Sequence, residues 1–317
     1  VLSLGEKSFE RAWGDLGVTT SDGARVEVDP AKARQALLEI KGHVDTLPTD
    51  AMLDLERRVI VPEQNGFVLD VEGSLVALTL AARRMEGAVT LAGKAMPASV
   101  TTATLGISDI SHVLASYKTN FSVSDRDRNF NLKLAASHLH GLVIAPGQQI
   151  SFNEVVGDRT EKTGYRVAHV ISAGEMVDGL AGGTCQISTT LFGAAFFAGL
   201  DIVNTTTHSR PLAYAPMGMD ATVTYPHIDL KLKNPYEFPV VIRYRVANGE
   251  ALVEILGKQR PYEKIVFERD IIDQVPYEKQ TRDDPMLALG DKKLDQPGMN
   301  GYKLRRYRRF YQDGKVV

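Results

Sequence analysis

Hydrophobic positions recur with two different periods along this chain, and the changes of period divide it. In the first hundred residues Ala33, Ala36, Leu37 and Ile40 return at three- and four-residue spacing, which predicts an amphipathic helix over about Ala31 to His43. Pro30 stands near its first position, where a missing N–H costs nothing. A strand-like run from Met52 to Val61 follows. Gly66-Phe67-Val68-Leu69-Asp70 then turns into a second helix over Val71 to Arg84. Further on, Leu132 to Leu142 looks helical, and Ile187, Leu191, Ala194, Ala195 and Ala198 predict a more apolar helix that Gly199 ends. From Pro235 to Leu256 the period drops to two, with a turn at Ala247-Asn248-Gly249-Glu250, as in a hairpin closing a sheet. Beyond Tyr262 the pattern is of short strands, with turn signals at Gln296-Pro297-Gly298 and Asp313-Gly314 and no helix. The expected class is α+β and multi-domain. A small α+β domain occupies 1–98. A central α+β domain of catalytic type, 99–260, packs a helix with cysteine at its N-terminus on an antiparallel sheet. A small all-β module occupies 261–317. Residues 1–20 read as the tail of an earlier copy of the first unit.

Composition narrows the function classes. At about 150 residues per domain, the 317 residues fit two or three units, and 44% apolar content is enough for real cores. A net charge of −2 gives no general drive towards nucleic acid or anionic membrane. No apolar stretch approaches the roughly 18 residues of a spanning helix. The chain begins at Val1 rather than at a methionine, so a signal or anchor outside this sequence is expected, and it would be the only membrane attachment. A single cysteine excludes an internal disulfide. Nothing in the sequence sets the oligomeric state.

That cysteine carries the most informative chemistry. Gly182-Gly183-Thr184-Cys185-Gln186 stands where the apolar helix begins. A thiol in a first helical turn meets unpaired N–H groups and the positive end of the helix dipole, which favour thiolate. The bland reading is a small buried hydrophobe. His208 and Asp220 come next in chain order. A cysteine on a helix, a histidine at the next strand and an acid on the strand after form the order in which papain-like and transglutaminase-like enzymes assemble nucleophile, base and orienter.

These residues lie in a longer series. Arg128-Asn129-Phe130-Asn131-Leu132, Ala145 to Asn153, Val156-Gly157-Asp158-Arg159-Thr160, Gly164-Tyr165, Gly182 to Leu191, His208-Ser209, Tyr214 to Gly218 and Asp220 to Val223 occur in order. From about Ser116 to Arg245 the chain resembles the VanW domain family. The family more often carries glycine where Thr184 stands. The resemblance implies peptidoglycan acyl transfer without a cofactor or metal: an L,D-transpeptidase with Cys185 as nucleophile, and, by order and spacing, His208 as base and Asp220 as orienter. The thiolate would attack the third residue of a stem tetrapeptide and release D-Ala. Gly182, Gly183, Thr184, Gln186, Ser188, Arg159, Asn153, Ser209 and Tyr214 are the expected oxyanion and substrate residues. For Arg159, pairing with a stem carboxylate and a structural ion pair are equally open.

The flanks resemble two wall-associated modules. Residues before Ser99 resemble the small peptidoglycan-binding domain that often precedes VanW domains; a spacer is the alternative. Val275-Pro276-Tyr277, Leu289-Gly290, Pro297-Gly298, Gly301 and Tyr307 resemble a G5 domain. Its basic and aromatic strip, Tyr302 to Tyr311, reads as a charged exposed edge strand or as a contact for an anionic wall polymer; nucleic acid is not expected as a partner. His138 and His140, at i and i+2, cannot share a helix face for a metal, and His169 and His227 lack partners at ligand spacing. Asp125 to Arg128 is a charge run fit for a loop or helix start. Peptidoglycan stems and glycan are the expected partners, in an extracytoplasmic, cell-wall or membrane-anchored setting. Two alternatives stay open: a non-catalytic wall-binding or scaffold protein, and a cysteine carboxypeptidase on stem peptides.

Overall fold

The computed structural model describes every residue except 22–24, 173–174 and 295–296, so the turn signal at Gln296 lies outside the described residues. The chain is α+β and divides into two compact units, one of Val1–Met52 with Ile60–Leu105, the other of Leu53–Val59 with Gly106–Val317.

In the first unit, α1 (Pro30–Val44) begins at Asp29, whose carboxylate accepts the Ala31 and Lys32 N–H groups. α2 (Val71–Arg83) begins at Asp70, which accepts from Gly73. Both caps satisfy first-turn donors. The apolar faces of the helices meet over a core that includes Leu37, Ile40, Leu69, Leu78 and Leu91. Leu2 and Leu16 belong to that core, and strand Leu2–Leu4 lies between Lys7–Phe9 and Val89–Thr90. Residues 1–20 therefore complete this unit instead of standing apart as a remnant of an earlier one. The run Met52 to Val61 is two short strands, Met52–Asp54 and Val59–Val61. It breaks because Asp54 turns back to accept the Arg57 N–H and Arg58 takes φ +57°.

The second unit adds α3 (Arg126–Leu139), α4 (Phe152–Val156) and α5 (Thr184–Ala198). Its strands, in chain order, are β1 (His112–Asn120), β2 (Val143–Ile144), β3 (Gln149–Ser151), β4 (Val167–Ser172), β5 (Glu175–Leu180) and β6 (Asp201–Asn204). Then come β7 (Lys231–Lys233), β8 (Val240–Ala247), β9 (Glu250–Gly257), β10 (Lys264–Val275), β11 (Gly301–Gln312) and β12 (Lys315–Val316). An antiparallel sheet runs β1-β9-β8-β2, a second β3-β7-β6, and a third β10-β11-β12. α3 starts six residues before the apolar pattern does, because Asp125 caps it through the Arg128 N–H and its first turn is polar.

α5 is buried on nearly all sides. It approaches β1 so closely that a Cβ on Gly193 would sit 2.3 Å from the Tyr117 ring. Only glycine fits there. The C-terminal sheet differs from expectation: β10 and β11 are 12 residues each, and β11 is its central strand, not an edge. Arg308 of β11 is half-buried, lies 4.8 Å over the Phe196 ring, and donates to Leu200 O (2.7 Å) and Ala195 O (3.2 Å) at the end of α5. A cation there meets the negative end of the helix and its orphan carbonyls.

Candidate active site

The start of α5 is built by glycine and by α3. Gly183 is the N-cap residue at φ +104°, and Ala181 also takes a left-handed φ of +62°. A Cβ on Gly182 would lie 2.6 Å from His169 O, so the chain must be bare there to pass β4. Asn131 of α3 holds the turn, donating to Gly182 O (3.1 Å) and Arg166 O (2.8 Å) and accepting from Arg166 N–H (2.9 Å). Thr184 turns its hydroxyl onto Ala181 O at 2.8 Å, which gives a β-branched residue a place in the first turn. No side chain caps α5. Gln186 N–H reaches back to Gly183 O at 2.8 Å, while the Cys185 N–H has no acceptor within the helix.

Two loop segments complete the site. Residues 205–208 run beside 220–223, joined by Thr222 N–H to Thr206 O at 2.7 Å. The second segment lies along α5. Ala221 O accepts from Ser188 Oγ (2.6 Å), Ala221 N–H donates to Thr189 Oγ1 (3.1 Å), and Val223 N–H points at Cys185 Sγ (3.5 Å). Asp220 Oδ2 accepts both the His208 N–H (2.7 Å) and Nδ1 (2.8 Å). The His208 side chain is 5% exposed and that of Asp220 10%. The thiol donates to Val223 O at 3.4 Å, and the same imidazole lies near enough for its bond and charge to act on the sulfur; with Nδ1 on the carboxylate, Nε2 is the nitrogen available. His208 and Asp220 lie in loops, not strands. Their neighbours pair with α5 side chains, which replace a ladder and leave no period-two signature.

Burial pushes the Cys185 thiol up. The His208 hydrogen bond and charge, the Val223 N–H and the Arg159 charge together outweigh it, and the thiol ends below its ordinary value. Burial pushes His208 down, but the bonds and charges of Asp220 and Cys185 raise it to about 9. Both shifts favour a thiolate–imidazolium pair.

Two guanidiniums feel the charge of the sulfur. Arg159 is buried, donates from Nη2 to Asn153 Oδ1 at 2.6 Å, and leaves Nε without a partner. Asn153 is anchored by Asp229, whose carboxylate accepts its N–H (2.9 Å) and the Ser151 hydroxyl (2.6 Å). Arg128 of α3 donates to Gln186 Oε1 at 2.7 Å. Burial holds both arginines below the usual guanidinium range, and the charge of Cys185 acts on each. A cleft of about 350 Å³ is lined by Lys118, Asn120, Ser122, Arg128, Gln186 and Tyr214, among others; it takes in Arg128 and Tyr214 but not Cys185 itself. The Tyr214 phenol, burdened by burial and then by the Cys185 charge, is held above its usual range and stays neutral.

Comparison with known proteins gives matches over three stretches of the chain. Residues 127–256 match the family described as "VanW like protein". The chain carries a VanW domain. Residues 268–317 match "G5 domain" and residues 7–90 "Putative peptidoglycan binding domain". The chain is 39% identical over 142 residues to the uncharacterized protein YoaR of Bacillus subtilis, covering 45% of this chain and 47% of the relative. It is 29% identical over 154 residues to the vancomycin B-type resistance protein VanW of Enterococcus faecalis, covering 47% and 56%. The chain thus spans about half the length of each of these relatives. No solved structure matches it.

Within the VanW domain the residues singled out from sequence fall into three groups. His208 is hydrogen-bonded to Asp220 and acts on the Cys185 thiol, and Gly182, Gly183 and Thr184 shape the turn under the sulfur. Arg159 and Tyr214 lie close enough to Cys185 for their charge states to be coupled to it. Gln186, Ser188 and Asn153 are buried, with their polar atoms occupied inside the protein, while Ser209 is exposed. Sequence reasoning gives Arg128 no site role, although it heads the first family-like stretch. It also passed over Thr189 and Asp229, single polar residues whose partners are 32 and 76 positions away.

Proposed function

We propose that this VanW domain is a cysteine acyltransferase of the cell wall, an L,D-transpeptidase that takes a stem tetrapeptide as donor. The single observation that carries the reading is the series Cys185–His208–Asp220, with the thiol below and the imidazole above their ordinary values. The matches to peptidoglycan-binding and G5 domains, and the resistance-protein name of the Enterococcus relative, support a wall-associated setting and peptidoglycan as partner.

The chemistry proceeds in two halves. Cys185 Sγ⁻ attacks the carbonyl carbon of the third stem residue, and the oxyanion collects on the Cys185 N–H at the head of α5. The C–N bond to D-Ala breaks as the His208 Nε2 proton passes to the leaving amine, leaving a thioester. An acceptor amine of a second stem attacks that thioester, gives its proton to Nε2, and the C–S bond breaks to regenerate the thiolate. Asp220 keeps Nδ1 protonated and the ring aligned throughout. Arg128 and Arg159 hold positive charge on the carboxylate-bearing donor, a task suited to a planar guanidinium.

The test is mass spectrometry of disaccharide-tetrapeptide muropeptides incubated with the protein and with Cys185→Ala. Free D-Ala and cross-linked dimers from the wild type alone are expected. Tripeptides without dimers would replace the transpeptidase with a carboxypeptidase. No product, together with an inert native thiol, would leave a wall-binding scaffold.

A further inference from the structure

β10 and β11 place two arginines directly opposite one another: Arg269 pairs with Arg306 in the ladder. Like charges in that relation repel, and a free-standing hairpin gains nothing from them. Here they grip consecutive carbonyls of one turn. Arg269 Nη1 donates to Met217 O at 2.7 Å and Arg306 Nη1 to Gly218 O at 2.9 Å. Met219 N–H closes the turn onto Pro216 O at 2.9 Å, and the next residue is Asp220. A Cβ on Gly218 would lie 3.5 Å from the Phe267 ring and 3.7 Å from a Leu304 methyl, so the turn also rests on the apolar face of the same two strands. Arg306 is half-buried, sits 5.4 Å over the Phe192 ring of α5, and directs its charge at Asp220.

The acid is therefore anchored on both flanks. α5 holds the chain after it, through Ala221 and Val223, and the hairpin holds the chain before it. We propose that Arg269 and Arg306 are positioning residues for Asp220, and that the G5-matched strands are a working part of the thiol site. A carboxylate that orients an imidazole does so through one short hydrogen bond, and a displacement of a fraction of an ångström loses it. This inference rests on the acyltransferase reading for its purpose, but its test does not need turnover.

The test is the titration of the His208 imidazole by NMR in the full chain, assigned with His208→Gln. The groups facing the His208–Asp220 pair are Cys185, Tyr214 and Arg306, with Arg128 and Arg159 facing the sulfur. Removing two positive charges without moving Asp220 would raise the His208 midpoint. Loss of positioning lowers it. The double variant Arg269→Ala/Arg306→Ala is expected to titrate about one pH unit below the wild type, with an unchanged near-ultraviolet circular dichroism spectrum. Arg306→Gln, which keeps a donor for Gly218 O, is expected to recover at least half of that shift. Arg309→Ala, which removes the Arg309–Glu268 pair and the contact over the Tyr307 ring but nothing at the Asp220 turn, is expected to leave it unchanged. A double variant titrating at or above the wild-type midpoint would overturn the inference. Muropeptide turnover in the same samples reports separately on the acyltransferase proposal.

Discussion

The two compact units bury very different things. Among the described residues, the first buries one polar side chain, Ser74, while the second buries fifteen, from Thr119 to Glu254. A buried polar group costs free energy unless it is bonded, so the second unit keeps a dense network that the first does without. Five of the fifteen lie on α5 itself: Thr184, Gln186, Ser188, Thr189 and Thr190. The first unit is assembled by apolar packing with capped helices, and the second by polar wiring around one helix whose head carries a thiol. The contrast separates a unit with an almost wholly apolar interior from one whose interior is arranged to hold charges.

The sharpest way to break the comparison is at the thiol. Cys185→Ala and His208→Gln are each expected to lower D-Ala release from tetrapeptides by at least about a thousandfold. Their melting temperatures should stay close to wild type, as measured by calorimetry. The first unit contains no cysteine.

The next effect is a pH dependence. Because Cys185 is held below its ordinary value and His208 is raised to about 9, the ion pair exists between those two values. As pH rises through about 9 the imidazolium loses the proton that the leaving amine needs. D-Ala release should then fall by about tenfold per pH unit. A rate that keeps rising above pH 9 would remove His208 from the reaction.

A smaller effect separates wiring from packing. Gln186→Leu keeps the shape but takes the side-chain partner from Arg128 Nη2 and a donor from Asn120 O, while Thr119 Oγ1 keeps only Thr190 Oγ1. A loss of about 2–3 kcal/mol of stability by chemical denaturation is expected. Ser74→Ala in the first unit removes only a bridge to the Ala92 N–H and C=O. Its cost should be about 1 kcal/mol, with thiol reactivity unchanged.

The same contrast explains what the sequence made legible. α1, α2 and α5 were readable to within a residue or two, because periodic apolar positions and local stops such as Gly199 are recorded in adjacent residues. The β8–β9 hairpin was readable from its alternation and its Asn248-Gly249 turn. Strand placement for His208 and Asp220 was not, since their loops are held by the α5 side chains of Ser188 and Thr189, and no local pattern encodes that. The 302–311 strip was misread as an exposed edge for a related reason. Alternation shows that Leu304, Arg306 and Arg308 share a face, but only the third dimension shows that this face lies on α5 and the Asp220 turn. Arg128 was hidden by its charged neighbours, although it heads the first family-like stretch, Arg128 to Leu132.

The central claim is that the lone thiol is an ionised nucleophile in the native protein, and its alkylation tests this directly. With one cysteine in 317 residues, the adduct is unambiguous by intact mass. The rate with iodoacetamide should fall much less between pH 8 and pH 6 than that of an ordinary thiol, because Cys185 is held below its usual value, and His208→Gln should remove the difference. An ordinary thiol, with a pKa of about 8.5, would lose nearly a hundredfold over the same interval. That full loss in the wild type, or reaction only after denaturation, would contradict the account.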